Sequence, residues 1–506
     1  MSPFPSGTRE NKAYYLPLLI IISIVSHFPF VLNGFGEIDA AKIGVSVIDI
    51  LNHGSDAAFS NFYFTDVIPL YILYLKWFMK LLNYNYSYLP ALMNYTNAVF
   101  GTLIIIPAFL LIRQIFRNPT IAFCSVFALI FAPAFFQSTI MGFPHLIAFF
   151  FLLLSLCCYL SGLDTDRVGT VSLLMLLSCL FLTTAFLFKS DSVLVAGIYV
   201  GLLFVREKRN RWKTASPFLI IVISGILFLL LRDLIIGPTS GTTMSKDGMS
   251  KWYNYSIVIP SAIEHLLTQG KPIAYAAGIA TFFLGGTALI YYLIKKRADL
   301  LIFVISWAAV PTIFWFFLIG NNARHNMLSV LPVLVMIIFL FHEKAPRFII
   351  VLTAMLILGN FFAVPASPSI LRPSGNLFKS HALLADRISR FQSGAKEIAG
   401  IPEDKIAVLG FFHNPHVIFQ ILSSAPSYRA FKIGREDYKI QTGDKEYVFI
   451  YFVLIDPADM KKETDKVLNE YSLHKHVFTS VTYDLKPLRD MGLKTRSFDI
   501  IERTAL

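Results

Sequence analysis

Charged residues are scarce in this sequence. Asp, Glu, Lys and Arg make up 15% of the 506 residues, whereas hydrophobic residues make up 55%, and the mean hydropathy is +0.62. Soluble globular chains carry about 25% charged residues, so the composition excludes an ordinary soluble protein. The lipid bilayer is therefore the expected solvent for most of the chain.

Cysteines are few, and recognisable nucleic-acid motifs are missing. The four cysteines all lie inside apolar runs, where they cannot form disulfides that stabilise an exported domain. They are Cys124, Cys157, Cys158 and Cys179. The formal charge is +12, but in a membrane protein such an excess is typical of cytoplasmic loops and of contact with anionic lipids. We therefore expect a bilayer and no nucleic acid among the partners. Residues 1–13 lack a small-residue cleavage pattern, which favours a retained first helix over a signal peptide.

Long apolar runs are what the sequence has in abundance. A helix needs about 17–25 mostly apolar residues to cross a hydrocarbon core of roughly 30 Å. Such runs predict about eleven transmembrane helices, near 14–32, 90–112, 119–137, 144–162, 170–187, 191–205, 215–236, 272–294, 300–319, 327–341 and 347–366. Lys and Arg are concentrated in alternate breaks between these runs, which predicts a cytoplasmic N-terminus and an external C-terminal region.

Two further segments are predicted as surface helices in the first external loop. The run VIPLYILYLKWFMKLL at 67–82 is too short for a span, and counting it as one would place the basic cluster at 206–213 outside. We therefore predict an interfacial helix with Trp77 at the headgroups. Residues 38–52 repeat apolar side chains at helical spacing, with polar side chains on the other faces.

The composition changes near residue 367, where charges become frequent and no further span follows. Strand-like runs at 405–412 and 446–455 alternate with helical patterns at 377–399 and 463–471. The prediction is a polytopic α-helical membrane protein with a small soluble C-terminal α/β domain. Its domains are a transmembrane domain at 1–366, with the first external loop at 33–89, and an external domain at 367–506.

Carboxylates follow the first predicted span directly. Glu37 and Asp39 lie in NGFGEIDAA (33–41), at the predicted external surface. A carboxylate there can serve as general base for an acceptor that arrives from water. Asp39 can also act as an N-terminal cap of the helix that follows, and taken alone the motif favours that role.

Polar residues interrupt later spans at the same predicted face. Lys189 and Asp191 break the run FLFKSDSVLV (186–195), either as functional groups or as the polar turn of a helical hairpin. Arg324 and His325 precede the span at 327–341, where an arginine can bind phosphate oxygens or anchor in the headgroups.

Histidines supply the remaining candidates. His145 begins a predicted span after Gly142 and Pro144, and it is either a functional group or a satisfied helix-start residue. His413 and His416 are close in sequence, but two histidines without a third ligand are a weak metal signal, so no metal ligand is assigned.

Together these motifs resemble the GT-C superfamily of polyprenyl-phosphate-dependent glycosyltransferases, which includes protein O-mannosyltransferases, lipid A aminoarabinose transferases and bacterial Rgt-like enzymes. The resemblance covers roughly residues 14–366. It rests on the order of four motifs: GEIDAA after the first span, IPLYILYLKWF, the Lys-containing break in TAFLFKSDSVLV, and the late ARHNMLSVLP.

The resemblance implies an inverting glycosyltransferase at the external membrane face, with a polyprenyl-phosphate-linked sugar as donor and a glycan, lipid or protein as acceptor. In that reading Asp39 is the catalytic base with Glu37 as second choice, and Arg324 and Lys189 bind the donor phosphate. Further substrate contacts are expected from His145, Asp66, His325 and Asp191. A requirement for a divalent cation stays open, and a bacterial inner membrane is the expected location.

Two other classes of protein fit the same composition. A transporter or flippase of lipid-linked sugars also has many spans, but it would place charged or broken helices at mid-membrane. A polymerase or ligase of lipid-linked glycans differs from the transferase only in the size of its substrate.

Overall fold

The protein is mainly helical. The computed structural model describes residues 13–32, 34–35, 38–54, 68–206, 211–236, 278–313, 327–363, 406–411, 419, 422–423, 429–433, 448–454, 478–483 and 498–503. The described α-helices are α1 Tyr15–His27, α2 Ile38–His53, α3 Pro69–Leu81, α4 Leu89–Phe116, α5 Pro119–Ile130, α6 Pro133–Ile140, α7 His145–Asp164, α8 Val168–Phe188, α9 Gly197–Arg206, α10 Arg211–Ile236, α11 Ile279–Ile294, α12 Ala298–Ile313, α13 Met327–Lys344 and α14 Ile349–Ala363.

Five helices in the described ranges are long and apolar enough to cross a membrane. They are Tyr86–Phe116, His145–Asp164, Val168–Phe188, Thr214–Arg232 and Met327–Lys344, and α5 with α6 makes a sixth if this pair, bent by 61°, counts as one span. Shorter apolar helices are Tyr15–Phe30, Ser192–Phe204, Ile279–Ile294, Ala298–Thr312 and Pro346–Asn360. The chain is accordingly an integral membrane protein.

Every predicted span overlaps one of these apolar helices. The number eleven nevertheless stays a prediction, because a helix of 17 residues rises only about 26 Å, which is less than the roughly 30 Å of the hydrocarbon core. The run at 67–82 forms α3, and the 13 residues of this helix are too few for a span. Its interfacial position also stays a prediction.

Small residues and buried hydroxyl groups hold the described spans together. Gly201 on α9 faces Ser306 on α12, and a Cβ at Gly201 would overlap the Ser306 hydroxyl. The Ser155 hydroxyl on α7 contacts the Ser178 hydroxyl on α8 at 2.9 Å and the Tyr199 hydroxyl on α9 at 2.6 Å. In lipid a polar group needs a partner inside the protein, so these contacts fix how the three helices pack.

The turn between α11 and α12 contains a network of ion pairs. Arg297 donates to Asp299 at 3.1 Å and 3.2 Å and to Glu343 at 3.0 Å. The hydrogen bond to Asp299 raises the pKa of Arg297 above its usual value. Arg297 belongs to a basic cluster that predicts the cytoplasmic face, and its charge is offset locally by two carboxylates.

Five β-strands are described in the C-terminal region: β1 Ile406–Phe411, β2 Arg429–Ile433, β3 Val448–Leu454, β4 Phe478–Tyr483 and β5 Phe498–Arg503. They form one sheet in the order β2-β1-β3-β4-β5. β1 pairs in parallel with β2 and β3, whereas β5 runs antiparallel to β4. The strands predicted at 405–412 and 446–455 are therefore present as β1 and β3. The helical segments at 377–399 and 463–471 lie outside the described residues, so the α/β class of this domain stays a prediction.

The chain divides into two compact units. One contains the described residues of Met1–Val31, Asp66–Tyr71 and Met93–Arg372, and the other those of Leu32–Thr65, Ile72–Leu92 and Pro373–Leu506. The domain boundary predicted near residue 366 stays a prediction.

The helix predicted at 38–52 is present as α2, and most of its described side chains are covered by protein. Nearly every described side chain from Ala40 to Asp49 is buried, including the polar side chains of Lys42, Ser46 and Asp49. A helix with polar residues on one face can bury that face when partners satisfy it. That α2 lies at the membrane surface stays a prediction.

Candidate active site

The structure describes only part of the predicted site. Glu37, Asp66, Arg324, His325, His413 and His416 lie outside the described residues. Asp39 is the second residue of α2 and Asp191 lies in the short 3₁₀ helix Ser190–Val195, but the side chains of both are outside the described part. The roles assigned to these residues stay predictions.

Lys189 and His145, which are 44 positions apart in the sequence, lie close together. α7 and α8 form an antiparallel hairpin joined by residues 165–167, so the start of α7 and the end of α8 lie at the same end of the pair. His145 is the first residue of α7 and is buried. Lys189 follows α8 and is half-buried, and its charge acts electrostatically on the imidazole of His145.

The backbone at Lys189 is held at the end of α8. Its N–H donates to the Ala185 carbonyl at 2.9 Å, and its carbonyl accepts from the Ser192 N–H at 3.0 Å. The backbone then turns out of α8 into the 3₁₀ helix. This break places a cation where the apolar helix ends, which is the position expected for a group that meets a lipid phosphate.

The turn that leads into His145 is fixed by α4. The Asn97 side-chain amide, fully buried on α4, donates to the carbonyls of Ser138 at 3.1 Å and of Met141. Gly142 lies so close to α4 that a Cβ there would come within 2.9 Å of Asn94 Oδ1. The Phe143 ring then contacts the His145 ring edge-to-face, with centroids 5.8 Å apart. The position of His145 is therefore fixed by the packing of the preceding turn against α4 and by the contact with Phe143.

A buried histidine supports the bend that precedes this turn. His27 Nε2 lies 3.0 Å from the Ile130 carbonyl at the end of α5, just before Pro133 begins α6. Its Nδ1 lies 3.1 Å from the Ser23 hydroxyl, which lies 3.1 Å from the Thr102 hydroxyl on α4. A carbonyl only accepts, so Nε2 carries a hydrogen and donates it to Ile130. Side chains of this kind make a proline break tolerable in a span.

His27 and Asn97 were missed by the sequence analysis. A signal was present, because each is a strongly polar residue within a predicted span, and such residues mark functional or structural sites by default. The signal does not identify their partners. Ile130 and Met141 contribute backbone carbonyls, which have no sequence pattern.

The second unit holds a polar stripe on α2. Asp39, Lys42, Ser46, Asp49 and His53 follow one another at alternating spacings of three and four residues, which places them on one face of the helix. The His53 Nδ1–H donates to the Asp49 carboxylate at 3.0 Å. By its spacing in the sequence, the predicted base is the first member of a row of polar residues.

The described residues do not assemble a metal site. Among them, no group of three or more His, Cys, Asp or Glu side chains is placed so that it could hold a metal ion. What the arrangement at Lys189 and His145 offers is a cation and a hydrogen-bonding ring at a helix end, and this combination suits a phosphate or a sugar hydroxyl.

Apolar helices with polar groups gathered at their ends define a polytopic membrane protein, and its fold has known counterparts. No family model and no curated protein sequence matches the chain. Among solved structures, ArnT from Cupriavidus metallidurans bound to undecaprenyl phosphate matches with a TM-score of 0.53 and 12% identity, over 96% of this chain and 97% of that chain.

The apo oligosaccharyltransferase from Archaeoglobus fulgidus matches with a TM-score of 0.52 and 12% identity, over 95% of this chain and 70% of that chain. The same enzyme with Zn and sulfate matches with a TM-score of 0.50 and 13% identity, over 96% of this chain and 73% of that chain. This chain spans 64% of the length of the same enzyme in a third structure, which holds a tethered acceptor peptide. ArnT and the oligosaccharyltransferase are GT-C enzymes, which confirms the predicted resemblance in fold.

Proposed function

We propose that the protein is an inverting glycosyltransferase that moves a sugar from a polyprenyl-phosphate donor to an acceptor at the external membrane face. The observation that carries this proposal is the cation Lys189 where α8 ends, at the same end of the α7–α8 hairpin as His145 at the start of α7. The shared fold adds support, since ArnT in that structure is bound to undecaprenyl phosphate.

The reaction needs charge stabilisation on the donor side. When the acceptor oxygen or nitrogen attacks the anomeric carbon, the bond from that carbon to the phosphate oxygen breaks and its electron pair leaves with the phosphate. Cations stabilise this charge, and we assign Lys189 and Arg324 to this role. The departing polyprenyl phosphate is a phosphate monoester whose charge is shared among its oxygens, so it needs no strong general acid.

The acceptor side needs a base. We assign Asp39, in the first turn of α2, to take the proton from the attacking acceptor group, with Glu37 as the second choice. Attack from the face opposite the phosphate inverts the anomeric centre. His145, Asp66, His325 and Asp191 are assigned to substrate contacts.

The test is transfer from defined lipid donors. Purified protein is incubated with a panel of polyprenyl-phosphate sugars, and loss of the sugar from the lipid is followed. We expect one donor to be consumed, and Asp39→Asn to lower the rate by about 10²–10⁴-fold, because a general base contributes a factor of that order. Asp164→Asn, the same chemical change at the far end of α7, is the control and should leave the rate unchanged.

Other outcomes separate the rival functions. Movement of an intact lipid-linked sugar across vesicles without loss of the sugar would identify a flippase or transporter. Consumption of only lipid-linked oligosaccharides would identify a polymerase or ligase. Retention of most activity in Asp39→Asn would move the base to Glu37 or contradict the assigned site.

A further inference from the structure

An aromatic contact joins the first loop of the chain to its C-terminal region. Phe35 lies just before α2, and its ring meets the Phe419 ring edge-to-face with centroids 4.6 Å apart and planes at 83°. Both side chains are buried, with 4% of Phe35 and 2% of Phe419 exposed. These residues are 384 positions apart in the sequence and belong to the same compact unit.

A glycine on α2 makes the contact close. A Cβ at Gly44 would overlap the Phe35 ring and lie 3.0 Å from Phe419 Cδ2, so only glycine lets both rings pack against the helix backbone. Strand β2 of the C-terminal sheet also contacts α2. Gly44 lies five residues after Asp39, a rise of about 7.5 Å along the helix. The contact thus lies within two turns of the predicted base.

We propose that the C-terminal region positions α2, with Phe35, Gly44 and Phe419 as the positioning residues for the base at Asp39. The catalytic part of this inference rests on the proposed function. A helix of 16 residues whose polar side chains Lys42, Ser46 and Asp49 are buried needs a fixed partner if a carboxylate in its first turn is to meet a substrate reproducibly. A displacement of about 1 Å at a reacting group costs on the order of 10²-fold in rate.

The same contact constrains the topology. Residues in contact outside the spans lie on one side of the membrane, so the chain crosses the membrane an even number of times between α2 and Phe419. The ten predicted spans from α4 onwards satisfy this condition. Adding α3 as a further span would make the number odd and separate the two rings.

Cross-linking tests the contact without any assumption about activity. Full-length protein carrying Phe35→Cys and Phe419→Cys is treated in membranes with a short thiol-specific bifunctional reagent. We expect a cross-linked species of altered gel mobility that forms in neither single variant, which also controls for the four native cysteines. Asn52→Cys with Tyr86→Cys is the positive control, since the side chains of these two residues lie 3.0 Å apart within the same unit. Cross-linking of the control pair without cross-linking of the 35–419 pair would overturn the inference.

Kinetics test the positioning role. We expect Phe419→Ala to lower kcat by about 10–100-fold while KM for the lipid donor changes less than twofold, and Phe419→Leu to recover most of kcat. Phe283→Ala, the same change at an exposed position of α11, is the matched control. A parallel loss of kcat and expressed protein, without rescue by leucine, would overturn the positioning role. Cross-linking at 35–419 in a protein that consumes no donor would refute the proposed function and still support the docking of the C-terminal region on α2.

Discussion

At the scale of single residues, the role of a polar side chain at the end of a span depends on the side chains close to it. In the sequence, Lys189 and His145 are separate candidates. Lys189 can be explained as part of a hairpin turn, and His145 as the first residue of a helix. The antiparallel pairing of α7 and α8 brings them to one end of the hairpin. A half-buried cation beside a buried imidazole is harder to explain as headgroup anchoring, because an anchoring lysine extends into the headgroups.

Removing this cation tests its role. We expect Lys189→Met to lower kcat/KM for the lipid donor by about 10–100-fold, because a hydrogen bond to a charged group contributes roughly 1.5–3 kcal/mol. Lys189→Arg should retain part of the activity. Steady-state kinetics at varied donor concentration measure the effect, and Lys296→Met, an exposed lysine in the turn between α11 and α12, is the control. Unchanged donor dependence in Lys189→Met would make Lys189 an anchoring residue only.

At the scale of secondary-structure elements, the polar contacts discussed above lie where helices break or end. Prolines begin α5 and α6, and the 61° bend between them leaves backbone carbonyls that need donors. The sequence indicates the break through Pro133. It does not indicate that His27, which is 103 positions from Ile130, supplies the donor.

His27 is therefore expected to stabilise the bend. Replacing it with phenylalanine leaves the Ile130 carbonyl and the Ser23 hydroxyl without this partner, so we expect the free energy of unfolding to fall by about 1–3 kcal/mol. His27→Gln, whose amide can still donate, should lose less. Thermal unfolding in detergent measures both variants.

Ser26→Ala is the matched control for the bend. Ser26 lies on the same helix, and within the part of the chain that the structure describes it donates to the Ser23 carbonyl of its own helix at 3.3 Å, so its removal should change stability little. A His27→Phe variant as stable as the wild-type protein would show that the hydrogen bond to Ile130 contributes nothing to the fold.

α2 shows that an amphipathic pattern does not predict what covers the polar face of a helix. Its apolar and polar residues fall on separate faces, which predicts a helix lying on a surface. In the structure both faces are covered, and Asp49 is only 1% exposed. The pattern indicates that one face is polar, but only a partner such as His53 decides whether that face meets water or protein.

At the scale of the whole molecule, the order of spans determines which residues can share a face of the membrane. The predicted topology places residues 33–89 and the C-terminal region outside and the turn near Lys296 inside. The contact of Phe35 with Phe419 requires the two regions to lie on the same side of the membrane, and that this side is the outside stays a prediction.

Cysteine labelling tests this topology. A cysteine at Gly54 and a cysteine added after Leu506 should react with a membrane-impermeant maleimide in intact cells or right-side-out vesicles. A cysteine at Lys296 should react only after the membrane is permeabilised. Labelling of the C-terminal cysteine only after permeabilisation, with Gly54 accessible from outside, would contradict the even number of crossings.

The sequence by itself determined the class of protein and the positions of its helices. Apolar run length and local proline, glycine and charge patterns act over a few turns of helix, so α1, α4 to α14 and the strands β1 and β3 could be predicted from nearby residues. The motif order also sufficed for the GT-C resemblance.

Only the tertiary structure decided which polar groups share a site. His27 with Ile130, Asn97 with Met141, and Phe35 with Phe419 join residues that are far apart in the chain. Two of these pairs use backbone carbonyls, which every residue has, and the third depends on Gly44 leaving room for two rings. Such contacts depend on how helices and loops pack in three dimensions, and the spacing of residue types along one chain carries no record of that packing.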